Sequence, residues 1–201
     1  MIKDQEDKIR GFSTFRLDYE ESLDALILFS GDTIIHSDTW GSSLLFSNFG
    51  KILAYMIMLR EETNIPNEIT IFGKSERKTI SRLYWFLISK GYRTYLMLPL
   101  FFQSYYPGIA DRVDWNLKLQ LEKLAKKRYP KEWNPKRGVL EIHHDRLNEN
   151  LSEIPEKRRK NKHVAFFLEQ NPLYTIGEEL ACLTEISVNN IRSGARRFVC
   201  Y

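Results

Sequence analysis

The sequence predicts a mixed α/β domain, and three observations indicate this class. Short runs of β-branched and apolar residues recur at strand length, as in residues 68–72, Glu-Ile-Thr-Ile-Phe. Residues 79–90 carry apolar side chains at helical spacing. The composition of the 201 residues, 43% hydrophobic and 28% charged, is that of a globular protein with a substantial core.

Residues 68–98 predict a strand–helix–strand crossover, around which we expect the central mixed sheet to be built. The strand of residues 68–72 precedes a polar turn, and the helical spacing of 79–90 ends at Gly91, where a C-cap glycine is expected. Residues 94–98 are almost continuously apolar, which is typical of a strand buried on both faces. A helix between two strands makes them parallel neighbours with a right-handed connection.

The first third of the chain predicts antiparallel strands. Residues 25–29 and 33–35 flank the turn sequence Ser-Gly-Asp at 30–32, which favours a hairpin. Residues 36–48 are expected to form a loop or a short strand. Residues 52–59 fit a strand or a helix, and their place after an antiparallel pair favours the strand.

The second half of the chain predicts one long helix and another short strand. Asp114 is expected to cap a helix that runs to Arg128. Residues 138–142 are expected to form the strand. We expect residues 1–156 to be the main domain and residues 157–201 to be a smaller, partly helical region packed on it, with the basic run 157–163 at the boundary.

Two interpretations of residues 175–197 stay open. The segment resembles a helix-turn-helix unit, because six residues match that family's packing and turn positions: Leu180, Ala181, Leu183, Ile186, Ser187 and Ile191. The resemblance implies a DNA-reading helix with Asn189, Asn190 and Arg192, and Arg196 and Arg197 placed for phosphates. The alternative is a strand over 180–186 followed by a terminal helix with a basic face.

Charge, cysteines and the N-terminus indicate the compartment. The net charge of +4 is too small to imply general coating of nucleic acid. Cys182 and Cys200 are too few for a disulfide framework and predict free thiols. A charged N-terminus without an apolar segment and the absence of a run of about 20 apolar residues predict a cytoplasmic protein without membrane contact.

The turn after the strand of residues 68–72 is the predicted cofactor-binding site, formed by Gly73, Lys74, Ser75, Arg77 and Lys78. A helix starting there would offer unpaired N–H groups and its positive dipole end to an anion, such as the phosphates of coenzyme A or a nucleotide. The P-loop pattern is incomplete, because Glu68 stands where its first glycine would be. The alternative is a solvated basic turn capped by Ser75.

Four residues are predicted as catalytic candidates: His143, His144, Asp145 and Glu178. A histidine just beyond a strand can act as a general base oriented by a carboxylate. The two histidines lack the helical spacing of a zinc site, so no metal is predicted. The alternatives are a surface turn at 143–145 and a helix cap at Glu178.

The predicted strand order, with a cationic helix start after a central strand, is similar to the architecture of GNAT acetyltransferases. That family's glycine-bearing pyrophosphate loop is absent from residues 74–79. The first functional hypothesis is therefore a group-transfer enzyme that uses a phosphate-bearing cofactor and a small-molecule substrate. A DNA-binding regulator acting through residues 175–197 is the second, and a non-catalytic interaction module is the third.

Overall fold

The computed structural model describes residues 1–39, 42–61, 68–71, 74–77, 82–109, 113–142 and 154–199, with backbone alone at 59–61, 68–71 and 74–77. The chain divides into two compact units, residues 1–85 with 185–201 and residues 86–184. The predicted boundary at residue 157 stays a prediction.

The predicted mixed α/β fold is confirmed. Seven strands form one sheet in the order β1-β2-β3-β6-β9-β8-β7, and β4 and β5 form a separate pair. The strands are β1 (Ile2–Lys3), β2 (Ile9–Glu20), β3 (Ala25–Ile35), β4 (Glu68–Ile71), β5 (Lys74–Arg77), β6 (Arg82–Ser89), β7 (Trp133–Asn134), β8 (Val139–Glu141) and β9 (Glu178–Glu185). The helices are α1 (Leu44–Glu61), α2 (Tyr92–Tyr95), α3 (Met97–Phe101), α4 (Trp115–Arg128), α5 (Glu156–Arg159), α6 (Lys162–Gln170) and α7 (Arg196–Val199).

The N-terminal hairpin is present, but its turn is not at residues 30–32. β2 and β3 pair antiparallel from Glu20 opposite Ala25 to Gly11 opposite Ile35. The turn lies at residues 21–24, where Asp24 adopts the left-handed conformation with φ of 45°. A shift of register between Ser13 and Phe15 lets β3 continue through the Ser-Gly-Asp sequence.

A crossover lies earlier in the chain than predicted, between β3 and β6. β3 leads into the 18-residue helix α1, and the chain returns as β6, the neighbour of β3 in the sheet. The strand prediction for 52–59 is wrong, because Leu53, Ala54 and Ile57 recur at helical spacing and are at most 5% exposed. The ring centroids of Phe49 in α1 and Trp85 in β6 are 4.4 Å apart, so the helix packs on the returning strand.

The predicted crossover at 68–98 is wrong in two of its three elements. β4 confirms the first strand, but β4 pairs antiparallel with β5. The predicted helix at 79–90 is largely strand β6. Leu83 to Leu87 are all buried, so both faces of this strand are apolar and its sequence also fits the apolar spacing of a helix. Residues 94–98 belong to α2 and α3. A short apolar run does not distinguish a buried strand from a buried helix.

The second unit contains the predicted helix α4. The Asp114 carboxylate accepts the N–H groups of Asn116 and Leu117 at 3.1 Å, as expected for an N-cap. Leu117, Leu121 and Leu124 are buried on one face. The predicted strand at 138–142 is confirmed as β8, which pairs antiparallel with β7 and β9.

The helix-turn-helix prediction is wrong, because β9 occupies the place of its first helix. Seven of the eight residues of β9 are buried, which agrees with the alternative of a strand followed by a short terminal helix, α7. The prediction of a C-terminal helical region is therefore correct only in part. Among the described helices, none has both the length and the apolar character needed to cross a membrane.

Candidate functional site

The loop from β3 to α1 is the first candidate site. His36 N–H donates to the Arg10 carbonyl at 2.7 Å, which fixes the loop where it leaves the sheet. The Thr39 carbonyl then accepts both the N–H and the hydroxyl of Ser42, at 3.1 and 2.7 Å. The Ser42 hydroxyl oxygen accepts the N–H of Leu44 at 3.3 Å. The chain therefore enters α1 through hydrogen-bonded small polar residues, with Ser42 and Ser43 exposed.

The charges around this loop are of both signs. His36 Nδ1 lies 3.4 Å from a carboxylate oxygen of Asp38, and both side chains are more than half exposed. Arg10 donates to Asp4 at 2.6 Å and also interacts electrostatically with Asp38. The hydrogen bond from Arg10 holds the pKa of Asp4 below its usual range. The two basic side chains of this loop region, His36 and Arg10, each therefore already face a carboxylate.

The second candidate site is a tyrosine–histidine pair in the second unit. The Tyr105 hydroxyl lies 3.4 Å from His163 Nδ1, and both side chains are half-buried. The backbone of His163 is fixed in the first turn of α6, because its N–H donates to the Asn161 side chain at 2.9 Å. A phenol and an imidazole in contact can exchange a proton.

Tyr95 forms the buried wall behind this pair. Its hydroxyl donates to the Pro107 carbonyl at 3.1 Å, and its ring centroid lies 6.4 Å from that of Tyr105. Desolvation, with smaller contributions from Cys182 and Tyr105, raises the pKa of Tyr95 far above its usual range. Tyr95 therefore stays protonated at neutral pH. Cys182 is a free thiol, as predicted; it is fully buried, and desolvation raises its pKa.

Glu178, a predicted catalytic residue, begins β9 and is bound by Arg137. The two terminal nitrogens of the Arg137 guanidinium each donate to one carboxylate oxygen of Glu178. The Glu178 side chain is 2% exposed, whereas that of Arg137 is 33% exposed. The predicted helix cap at Glu178 is wrong because the residue lies in a strand. A carboxylate held by two donors on a buried strand supports the sheet, and its catalytic role stays a prediction.

The neighbouring carboxylate, Glu179, is also paired. Lys90 Nζ lies 3.2 Å from it, and both side chains are largely buried. Because successive side chains of a strand point to opposite faces, Glu178 and Glu179 attach β9 to partners on its two sides. Asn171, fully buried, donates to the Glu178 carbonyl at 3.0 Å, while its own side-chain oxygen has no hydrogen-bond partner among the described residues.

The remaining predicted site residues cannot be placed as a cluster. His143, His144 and Asp145 lie outside the described residues, as do Gly73 and Lys78. Lys74, Ser75 and Arg77 lie in β5, so the predicted helix start at this position is wrong, and anion binding by their side chains stays a prediction. Within the described ranges no group of three or more histidine, cysteine or acidic residues could hold a metal ion.

Sequence reasoning missed both candidate sites. The sequence Gly-Ser-Ser at 41–43, before an apolar segment with helical spacing, was the signal for the start of α1. No sequence signal joins Tyr105 to His163, because the two are 58 residues apart. Comparisons add nothing on function: no protein-family model, no curated protein and no solved structure matches this chain.

Proposed function

We propose that the protein is a group-transfer enzyme that binds a phosphate-bearing cofactor of the coenzyme A or nucleotide type. The observation that carries this proposal is the β3–α1–β6 arrangement. The 18-residue helix α1 is the next long element after β3, a strand of the central sheet, and the chain later forms β6, the neighbour of β3 in that sheet. In sheets with such connections, ligands bind beyond the ends of the strands, at the loops that lead into helices.

The start of α1 has the chemistry that a phosphate requires. The first N–H groups of a helix lack intrahelical acceptors, and the aligned peptide dipoles place about half a positive charge at this end. The exposed hydroxyls of Ser42 and Ser43 precede the first turn. Phosphates commonly bind where a tight loop enters a helix in this way. A group-transfer cofactor supplies the phosphates, and its reactive end supplies the group that is transferred.

An acyltransferase of GNAT-like architecture is the form of group transfer that we propose. In such a reaction the bond from the acyl carbon to the thiol sulfur breaks, and a bond from that carbon to a nitrogen or oxygen of the acceptor forms. The acceptor's proton leaves, and the thiolate gains one. A proton acceptor is therefore needed, and a histidine or a carboxylate is the usual group in this role.

Calorimetric titration of coenzyme A, acetyl coenzyme A and ATP into wild type and Ser43→Asp protein tests the cofactor proposal. An added carboxylate at the start of α1 should repel phosphate and weaken binding by about tenfold to a hundredfold. The same carboxylate should leave the free energy of unfolding unchanged or raise it by about 0.3–1 kcal/mol, because it complements the helix dipole. Opposite effects on binding and stability separate a ligand site from a structural turn.

Asn116→Asp is the matched control. It adds the same charge to the first turn of another helix, α4, where Asn116 is exposed. This variant should bind the cofactor like wild type. If wild type shows no saturable binding of any of the three compounds, or if Ser43→Asp binds as tightly as wild type, the cofactor proposal is rejected.

A further inference from the structure

The segment of residues 157–162 is the most strongly charged surface of the described chain. It reads Lys-Arg-Arg-Lys-Asn-Lys and spans the end of α5, a turn and the start of α6. All six residues are exposed. Four of the cations have no ion pair with any described residue: Lys157, Arg158, Lys160 and Lys162. Arg159 differs, because its Nε donates to the Ile154 carbonyl at 3.1 Å.

The backbone holds these cations in a fixed arrangement. Arg158 N–H donates to the Pro155 carbonyl at 2.7 Å, and Asn161 N–H donates to the Arg158 carbonyl at 3.0 Å. The Asn161 side chain caps α6, which is anchored in the core by the fully buried Val164 and Phe167. Because the backbone is already held by these contacts, binding of a ligand to this segment would cost little backbone entropy.

The charge of the chain is concentrated in the unit that carries this segment. Residues 86–184 contain 17 lysines and arginines and 12 acidic residues, a net charge of +5. The rest of the chain has a net charge of −1, since the whole chain carries +4. An anionic partner is therefore attracted to the second unit rather than to the chain as a whole.

We infer that residues 157–162 bind nucleic acid through its phosphates. The cations are spread over six residues in two helices and the turn between them, and a ligand that carries many phosphates can contact several of them at once. An anionic membrane surface also attracts cations, but peripheral membrane segments add apolar side chains that insert among the lipids. Residues 156–162 contain none. The contact is to the phosphate backbone and is independent of base sequence. This inference does not depend on the cofactor proposal.

The test is fluorescence anisotropy with a labelled duplex and a labelled single strand, each about 25 nucleotides long, over a series of salt concentrations. Four phosphate contacts predict a slope of log K against log salt of about −3.6 for the duplex and about −2.8 for the single strand. Changing Lys157, Arg158, Lys160 and Lys162 to Gln should remove most of that slope. Circular dichroism should show that this variant is folded.

The matched control changes Lys123, Lys126, Lys131 and Lys136 to Gln. These four lysines are exposed in the same unit, so the loss of net charge is equal. The control should keep most of the affinity and the slope. The inference is overturned if wild type fails to bind either probe at low salt, or if both variants lose the slope equally. Binding to vesicles with about 30% phosphatidylserine but not to nucleic acid would also overturn it.

Discussion

At the scale of single residues, the ion pair of Glu178 and Arg137 has the largest expected effect on stability. The Glu178 carboxylate is almost fully buried, and Arg137 supplies both of its charged donors. The hydrogen bond to Glu178 also raises the pKa of the Arg137 guanidinium, so Arg137 stays charged at every pH at which the protein is folded. The guanidinium of Arg137 therefore compensates the charge of the carboxylate buried in the sheet.

Arg137→Ala should therefore lower the free energy of unfolding by about 3 kcal/mol, the lower end for a broken buried pair, because the guanidinium is one-third exposed. Urea denaturation measures this change. Adding Glu178→Gln to Arg137→Ala should restore part of the stability, because it removes the unpaired charge. Lys136→Ala, at an exposed neighbouring position, is the control and should change the value by less than about 0.5 kcal/mol. An effect of Arg137→Ala as small as that of the control would contradict the structure.

The contact between Asp4 and Arg10 predicts a pH dependence of stability. Because Arg10 lowers the pKa of Asp4 in the folded protein, the folded state favours the ionised carboxylate. The resulting stabilisation is present above the unfolded pKa of about 3.9 and is lost as the pH falls through the folded value. The Asp4→Asn variant should lack this pH-dependent stabilisation, because its side chain cannot ionise. Urea midpoints from about pH 6 down to pH 2 should converge for wild type and variant at the acid end. A constant difference across this range would show that the contact does not form.

At the scale of elements, the sequence predicted the element type well where a cap and a periodic apolar face were both present, and poorly where an apolar run had no clear periodicity. The 14-residue helix α4 was found from its cap and its leucine spacing. β6 was mistaken for a helix because a strand buried on both faces has no alternation to recognise. Part of α1 was mistaken for a strand because its apolar run has no clear polar face. The surfaces that bury α1 and β6 come from distant parts of the chain, which local patterns do not show.

The close packing of α1 against α7 at Gly50 predicts that Gly50→Ala lowers the free energy of unfolding. In an exposed helix this change stabilises by about 1 kcal/mol. Here a Cβ atom on Gly50 would lie 2.1 Å from the Phe198 carbonyl oxygen, so the backbone of α7 would have to move. We expect a net loss of about 1–3 kcal/mol in the free energy of unfolding, as in overpacked cores. Lys51→Ala, the exposed neighbour, should be nearly neutral. Stabilisation by Gly50→Ala would mean that α7 does not pack there.

The β3–α1–β6 arrangement is tested by Ser30→Ala. The buried indole N–H of Trp85 in β6 donates to the Ser30 hydroxyl in β3 at 2.5 Å. Removing the acceptor leaves a buried donor unpaired and should cost about 1–3 kcal/mol. Ser13→Ala removes a partly buried hydroxyl in the hairpin, where it contacts the Thr33 hydroxyl at 2.7 Å, and should cost less than the loss of the fully buried acceptor. Equal effects of the two changes on the urea midpoint would argue against the pairing of β3 with β6.

At the scale of the whole molecule, the sequence predicted the fold class but not the candidate sites. Composition and recurring short apolar runs suffice for a mixed α/β fold. The sites depend on which strands become neighbours, and this is decided by long-range burial. Residues 73–78 carry the cations of an anion-binding loop, but Lys74 to Arg77 form a strand, and the long helix of this part of the chain is α1, which follows β3. The tyrosine–histidine pair depends wholly on the tertiary fold.

The central claim is that a phosphate-bearing cofactor binds at the start of α1. Amide chemical shifts of the labelled protein, recorded during a titration with coenzyme A, test it most directly. The account predicts saturable shifts centred on the amides of residues 42–47, with smaller changes at His36, and loss of these shifts in Ser43→Asp. Saturable shifts centred on residues 73–78, or no saturable shift at all, would contradict it.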